Sequence, residues 1–110
     1  MFPMIIEQKQ QEITTLCEKH RVRTLWLFGS ATTAGWDPQT SDIDFLVDLG
    51  DYEVGVAHRF LDLADDLESM VGRAIDLVTV VGLAGNPHME RRVYAQRVKL
   101  YESNRVRAAI

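Results

Sequence analysis

Apolar positions recur with two different periods along this chain, and the changes of period mark out its elements. Over residues 4–20, Ile6, Ile13, Leu16 and Cys17 fall near one side of a 3.6-residue repeat, with Glu7, Lys9, Gln10, Glu12 and Lys19 mostly off it, which predicts an amphipathic helix. Residues 24–28 switch to a period of two with both faces apolar: Trp26 and Phe28 on one, Leu25 and Leu27 on the other. That predicts a strand covered on both sides, central in a sheet. Residues 30–34 predict a short helix. A second strand follows over 42–49, with Ile43, Phe45 and Val47 toward the core. From Val56 to Val71 the helical period returns, with Val56, Phe60, Leu63, Ala64, Leu67, Met70 and Val71 on one face and Gly72 placed to end it. Residues 74–81 predict a third strand. Asn86-Pro87 reads as the cap and first position of a last helix through Gln96, before a strand over 98–101 and a frayed tail over 103–110. Helix and strand alternate throughout, which predicts an α/β fold, a small mixed sheet with helices packed against it.

Bulk properties narrow the classes. The 110 residues suit one domain, 1–110, with a single core. No apolar run of about 20 residues is present, so no membrane span is expected, and Glu7 and Lys9 interrupt the apolar start too early for a secretory signal. A net charge of −4 argues against direct nucleic-acid binding. Cys17 is the one cysteine and reads as a small core residue in a reducing cytoplasm. The acidic positions Asp62, Asp65, Asp66 and Glu68 read as a solvated helix face and His20 as a solvated residue at a helix end, while Arg91, Arg92 and Arg97 read by default as a solvated basic surface, with an acidic partner or a phosphate as the other reading.

One stretch breaks its local pattern. Asp42 and Asp44 stand at alternate positions at the mouth of the second strand, where aspartate is depleted and an unpaired buried carboxylate is expensive. Residues two apart in a strand share a face, about 6.6 Å apart at 3.3 Å per residue, within reach of one divalent cation or a pair. Upstream, Gly29 allows an anion close to the backbone, and Ser30 offers a hydroxyl and an N–H at a helix start. A phosphate cradle, a loop and then a metal pair is the plan of a nucleotidyl-transfer site. Asp76 interrupts the third strand as Asp44 interrupts the second, and joins the same face if the strands are neighbours. The other reading of Asp76 is an ion pair with Arg73. Trp36, in the intervening loop, either stacks on a base or packs beneath the loop. Asp48, on the carboxylate side but at the far strand end, reads as an ordinary polar terminus.

Gly29-Ser30 followed by Asp42-Ile43-Asp44, flanked by LFGS and SDIDFLVD, resembles the signature of the DNA polymerase β-like nucleotidyltransferases, and in its small size the minimal nucleotidyltransferase (MNT) branch. The resemblance runs from Leu25 to about Glu102 and implies the helix and strand order above. It also implies that Asp42, Asp44 and Asp76 hold Mg²⁺, two ions in all, and that Gly29 and Ser30 bind the phosphates of ATP. The reaction implied is transfer of AMP to a hydroxyl, a tyrosine of a partner HEPN-type toxin for which the chain serves as antitoxin. Two alternatives stand beside it: an antitoxin that only occludes its toxin, and a small-molecule transferase of the antibiotic-modifying kind. In two respects the chain departs from the pattern: the spacer between Ser30 and Asp42 holds 11 residues, at the longer end for the family, and an arginine is missing after Ser30. Ala31-Thr32-Thr33-Ala34 fills the turn where many members carry an arginine.

Overall fold

The structure is a computed structural model and describes residues 4–51 and 53–104. The elements run α1 (Met4–Gln8), α2 (Gln10–Lys19), β1 (Thr24–Phe28), a 3₁₀ turn (Gly29–Thr32), β2 (Ile43–Asp48), α3 (Val56–Val71), β3 (Ile75–Thr79), α4 (Val80–Ala84), α5 (Pro87–Gln96) and β4 (Val98–Glu102). The strands form one mixed sheet in the order β3-β2-β1-β4. β1 pairs antiparallel with β2 and β4, while β2 and β3 run parallel and are joined through α3. A parallel pair requires such a crossover, and the long amphipathic helix supplies it.

β1 is central and covered on both faces, as its doubly apolar pattern predicts. Leu25 and Leu27 enter the larger cluster with Ile6, Ile13, Cys17, Leu63 and Leu67, all fully buried. Phe28 enters a second cluster with Leu46, Leu83 and Val93, against which Trp26 packs. Helices α1, α2 and α3 therefore cover one face of the sheet, and α4 and α5 the other. The carboxylates of β2 point toward the α5 side, because Asp44 shares its face with Leu46 while Phe45 and Val47 feed the opposite cluster. Burial pushes the Cys17 thiol up to about 12, so it stays protonated as a packing residue.

Four details depart from the sequence expectations. The first helix is two: the chain breaks at Lys9 (φ −105°, ψ 14°), and Ile6 and Ile13 on either side both reach the core. The third strand stops at Thr79, whose hydroxyl accepts the Gly82 N–H at 2.9 Å and starts α4. Valines 80 and 81 have strand propensity, but a satisfied cap outweighs it. His20 is not solvated. It is 7% exposed, with Nε2 2.7 Å from Asp66 Oδ2 on α3. Bonds from His20 and then Lys19 hold the Asp66 carboxyl below the usual range, which removes Asp66 from the solvated acidic face. Ser103, expected in the frayed tail, donates its N–H to the Arg23 carbonyl at 2.9 Å, and residues 105–110 of that tail lie outside the described ones. The caps at Gly72 (φ +71°) and at Asn86, which accepts from Met89 N–H at 3.2 Å, stand where the sequence puts them.

Arg59 is an anchor that periodicity does not reveal. Its guanidinium donates to the carbonyls of His20 and Arg21, each at 3.2 Å, and of Leu49 at 3.1 Å. Arg21 takes a left-handed conformation there (φ +57°). One side chain thus ties the α2–β1 turn to the end of β2. Replacing it strands three carbonyls, so Arg59→Met should lower stability by about 2–4 kcal/mol, with Arg59→Lys recovering only part because an ammonium lacks the planar fork. Urea denaturation of the three proteins checks this; a loss under about 0.5 kcal/mol in Arg59→Met, the range of an ordinary surface change, would refute it.

Candidate active site

The register of the sheet builds the site. Phe28 at the end of β1 pairs with Asp44, and Asp44 pairs with Asp76 across the parallel β2–β3 ladder. The chain leaves β1 through Gly29 (φ +75°), where a Cβ would overlap Asp44 Oδ2. No residue but glycine turns here without moving the carboxylate. The turn is closed by its own threonines: Thr32 Oγ1 donates to the Gly29 carbonyl at 2.8 Å and Thr33 Oγ1 to the Ser30 carbonyl at 2.9 Å. The Ser30 side chain lines the cleft above the carboxylates.

The loop from the turn to Asp42 is fixed from the far side. Arg73, just before β3, donates from Nη2 to the Ser41 carbonyl at 2.6 Å and lies 5.3 Å over the Trp36 ring. Arg73 is thereby turned to the loop, and the ion-pair reading of Asp76 gives way. Trp36 packs against the larger core cluster, which selects packing over base stacking. Within the loop, Asp37 Oδ1 accepts the Gln39 N–H at 2.8 Å, and this bond leads the causes that hold its carboxyl below the usual range.

Asp44 is the electrostatic centre. Its pKa is raised to about 6, first by burial, then by the charge of Asp76 and a hydrogen bond with it, then by Asp42. Asp42 stands just outside β2 and is exposed, as is Asp76. Among the described residues no three acidic, histidine or cysteine side chains close into a cation cage. The residues nonetheless fit Mg²⁺, which takes one or two carboxylates and completes its shell with water and substrate phosphate. A carboxylate pair without a counter-charge is the donor set such an ion requires.

A cleft of about 620 Å³ opens over these groups, walled by the Gly29-Ser30 turn, by Asp44 and Asp76, and by α5 through Asn86, His88, Met89 and Arg92. Sequence reasoning assigned Arg92 to the solvated surface and did not single out His88. The available signal was helical spacing: His88, Arg92 and Gln96 recur every four residues on α5 beside Met89 and buried Val93, and all five line the cleft. Arg97, by contrast, is stacked on Tyr94 and Trp26, 4.0 and 4.7 Å from their ring centres. A larger concavity, about 730 Å³, lies at the other end of the sheet beside Arg59 and contains none of the three aspartates. Asp48 stands at that end too, accepting the Gly50 N–H at 2.8 Å, an ordinary polar terminus.

The raised Asp44 pKa has a stability consequence. A folded-state value near 6 against the ordinary aspartate value of 3.8 means the folded protein binds the proton more tightly. The corresponding stabilisation is present below pH 4 and lost as pH rises through 6. Asp44→Asn should therefore be more stable than wild type at pH 8 in chelator, by about 1–2 kcal/mol after allowing for solvent screening. The gain should shrink toward zero near pH 4. Urea denaturation at the two pH values reads the difference; a destabilised Asp44→Asn at pH 8 contradicts the charge assignment.

Comparison with known proteins agrees with this geometry. The family described as polymerase beta, nucleotidyltransferase, matches residues 11–106. Two Methanocaldococcus jannaschii proteins named as protein adenylyltransferases are 30% and 33% identical over 78 residues, each alignment covering 71% of this chain and 76% of the relative. A solved structure described as a minimal nucleotidyltransferase superposes with a TM-score of 0.66 at 27% identity, covering 89% of this chain and 95% of that one. A chain from a complex of a tri-AMPylated Shewanella oneidensis HEPN toxin with its MNT antitoxin superposes at 0.62 with 20% identity, covering 94% and 78%, a likeness of fold. With the family match spanning most of the chain and the Gly29 turn set against the paired aspartates, this protein belongs to the polymerase β nucleotidyltransferase family.

Proposed function

We propose that the chain acts as one minimal domain, an Mg²⁺-dependent adenylyltransferase that moves AMP from ATP to a hydroxyl, a tyrosine, of a partner HEPN-type toxin in the cytoplasm, and so serves as its antitoxin. The observation that carries the reading is the in-register pair Asp44 and Asp76, set against a turn that only glycine can make. Asp42, Asp44 and Asp76 are the residues that would hold the metal. Bound there, Mg²⁺ neutralises the triphosphate and stabilises charge on the departing pyrophosphate. Gly29 lets the phosphates approach the backbone, and the Ser30 hydroxyl and N–H donate to them. The acceptor oxygen attacks the α-phosphorus, the bond to pyrophosphate breaks, and exposed Asp76 accepts the hydroxyl proton.

The described elements are spent on the sheet, its two covered faces and the donor cleft. That arrangement fits an acceptor brought by a separate chain. In support, one structure of like fold is a complex named for its AMPylated toxin, and another is a toxin–antitoxin complex with AMP-PNP. A bulky anion attached beside a ribonuclease site would repel RNA phosphates.

Two measurements test this. Mg²⁺–ATP should raise the melting temperature, and ATP with chelator much less, because ligand bound only by the folded state stabilises by RT ln(1 + [L]/Kd). Equal shifts with and without metal would rule out a metal-built site. Co-expression with a HEPN partner should give that partner an AMP-sized mass gain by intact-mass measurement, absent with Asp44→Asn. A partner left unmodified yet neutralised equally by wild type and Asp44→Asn would replace transfer with occlusion. Transfer to a free small molecule in place of the partner would make the chain a small-molecule transferase.

A further inference from the structure

We propose that Arg92 of α5 is a binding residue for the nucleotide's polyphosphate, the cationic wall opposite the aspartates. This rests on the nucleotide-transfer reading and adds to it a residue from an element outside the sequence signature. Charge balance in the cleft drives the argument. Its walls hold Asp44 and Asp76, and the Gly29–Thr32 turn carries no basic residue. A nucleoside triphosphate brings about four further negative charges at neutral pH. Cations at the carboxylates offset part of that charge. Among the described residues lining the cleft, the one permanent cation is Arg92.

Three observations set Arg92 apart from the neighbouring described arginines, Arg91 and Arg97. Arg97 is committed to the rings of Tyr94 and Trp26. Arg91 does not line the cleft. Arg92 lines it and, among the described residues, forms no ion pair. Arg92 thus lines the same cavity as Asp44 and Asp76 without an ion pair to either among the described residues. Cation and carboxylates line one cavity of about 620 Å³, and a polyanion carrying metal to the aspartates would present its remaining oxygens to the guanidinium fork. The helix is held in place by its Asn86 cap and by Val93, buried next to Arg92, so the side chain projects from a fixed base.

The test uses the full chain with Mg²⁺ and inorganic tripolyphosphate, a probe with neither base nor sugar, followed by calorimetric titration. Arg92→Gln should weaken binding by about tenfold, a typical loss for a charge-assisted contact. Arg92→Lys should keep part of the affinity, and Arg91→Gln, on the same helix but off the cleft, should stay within about twofold. Arg92 is exposed, so these variants should fold as wild type does. Equal affinities in Arg92→Gln and Arg91→Gln overturn the proposal. So does a loss confined to ATP and AMP that spares tripolyphosphate, which would move Arg92 to the base or ribose. A wild-type chain that binds neither ATP nor tripolyphosphate overturns both this proposal and the nucleotide reading. If Arg92→Gln loses tripolyphosphate while Asp44→Asn binds it as wild type does, the metal assignment fails and Arg92 stands.

Discussion

Two like charges placed side by side are the constraint on which this structure turns. Asp44 and Asp76 occupy the same register position on adjacent parallel strands, so their carboxyls are neighbours whatever the side chains do. Neither forms an ion pair among the described residues, and burial first, then the charge of Asp76, raises the Asp44 pKa to about 6. β2 bears that repulsion because its other inner positions are apolar and buried: Ile43, Phe45, Leu46 and Val47 are all inaccessible to solvent. The strain is local, and the burial that offsets it is spread over both faces of β1 and β2.

The neighbouring parts follow from keeping this pair in place and open to a ligand. Gly29 has no side chain because Asp44 already occupies the space a Cβ would take. The turn after it closes on its own threonine hydroxyls, leaving the strand end compact beneath the cleft. On the far side, Arg73 grips the carbonyl of Ser41 and lies over Trp36, which fixes the loop just before Asp42. Arg59 does comparable work at the other end of the sheet, gathering three carbonyls. The two arginines secure the loops at opposite ends of β2, the strand that carries the catalytic candidates.

Much of this was legible in the chain because it is encoded over short spans. The doubly apolar 24–28 run, the alternating Asp42 and Asp44, the helix from Val56 to Val71 with Gly72 behind it, and the Asn86-Pro87 start of α5 are local patterns, and local sterics and hydrogen bonds enforce them. Gly29-Ser30 and the aspartates could be singled out together because two carboxylates at a strand mouth violate the usual preferences for that setting. Local rules also misled. Valines 80 and 81 read as strand until the Thr79 hydroxyl capped α4, and the apolar spacing of residues 4–20 gave no sign of the break at Lys9.

What the sequence alone determined is the set of elements and the residues able to carry charge chemistry. Only the tertiary structure decided which of them meet. Asp76 faces Asp44 because β2 and β3 pair in parallel at one particular register, and pairing partners 32 positions apart leave no periodic trace. His20 finds Asp66 because α2 lies on α3, and Arg59 reaches carbonyls on three residues far from it in the chain. Arg92 looks like any solvated arginine until α5 folds over the sheet and turns that face toward the aspartates. In each case the deciding energy is burial and hydrogen bonding between segments, which a pattern read along one segment does not contain.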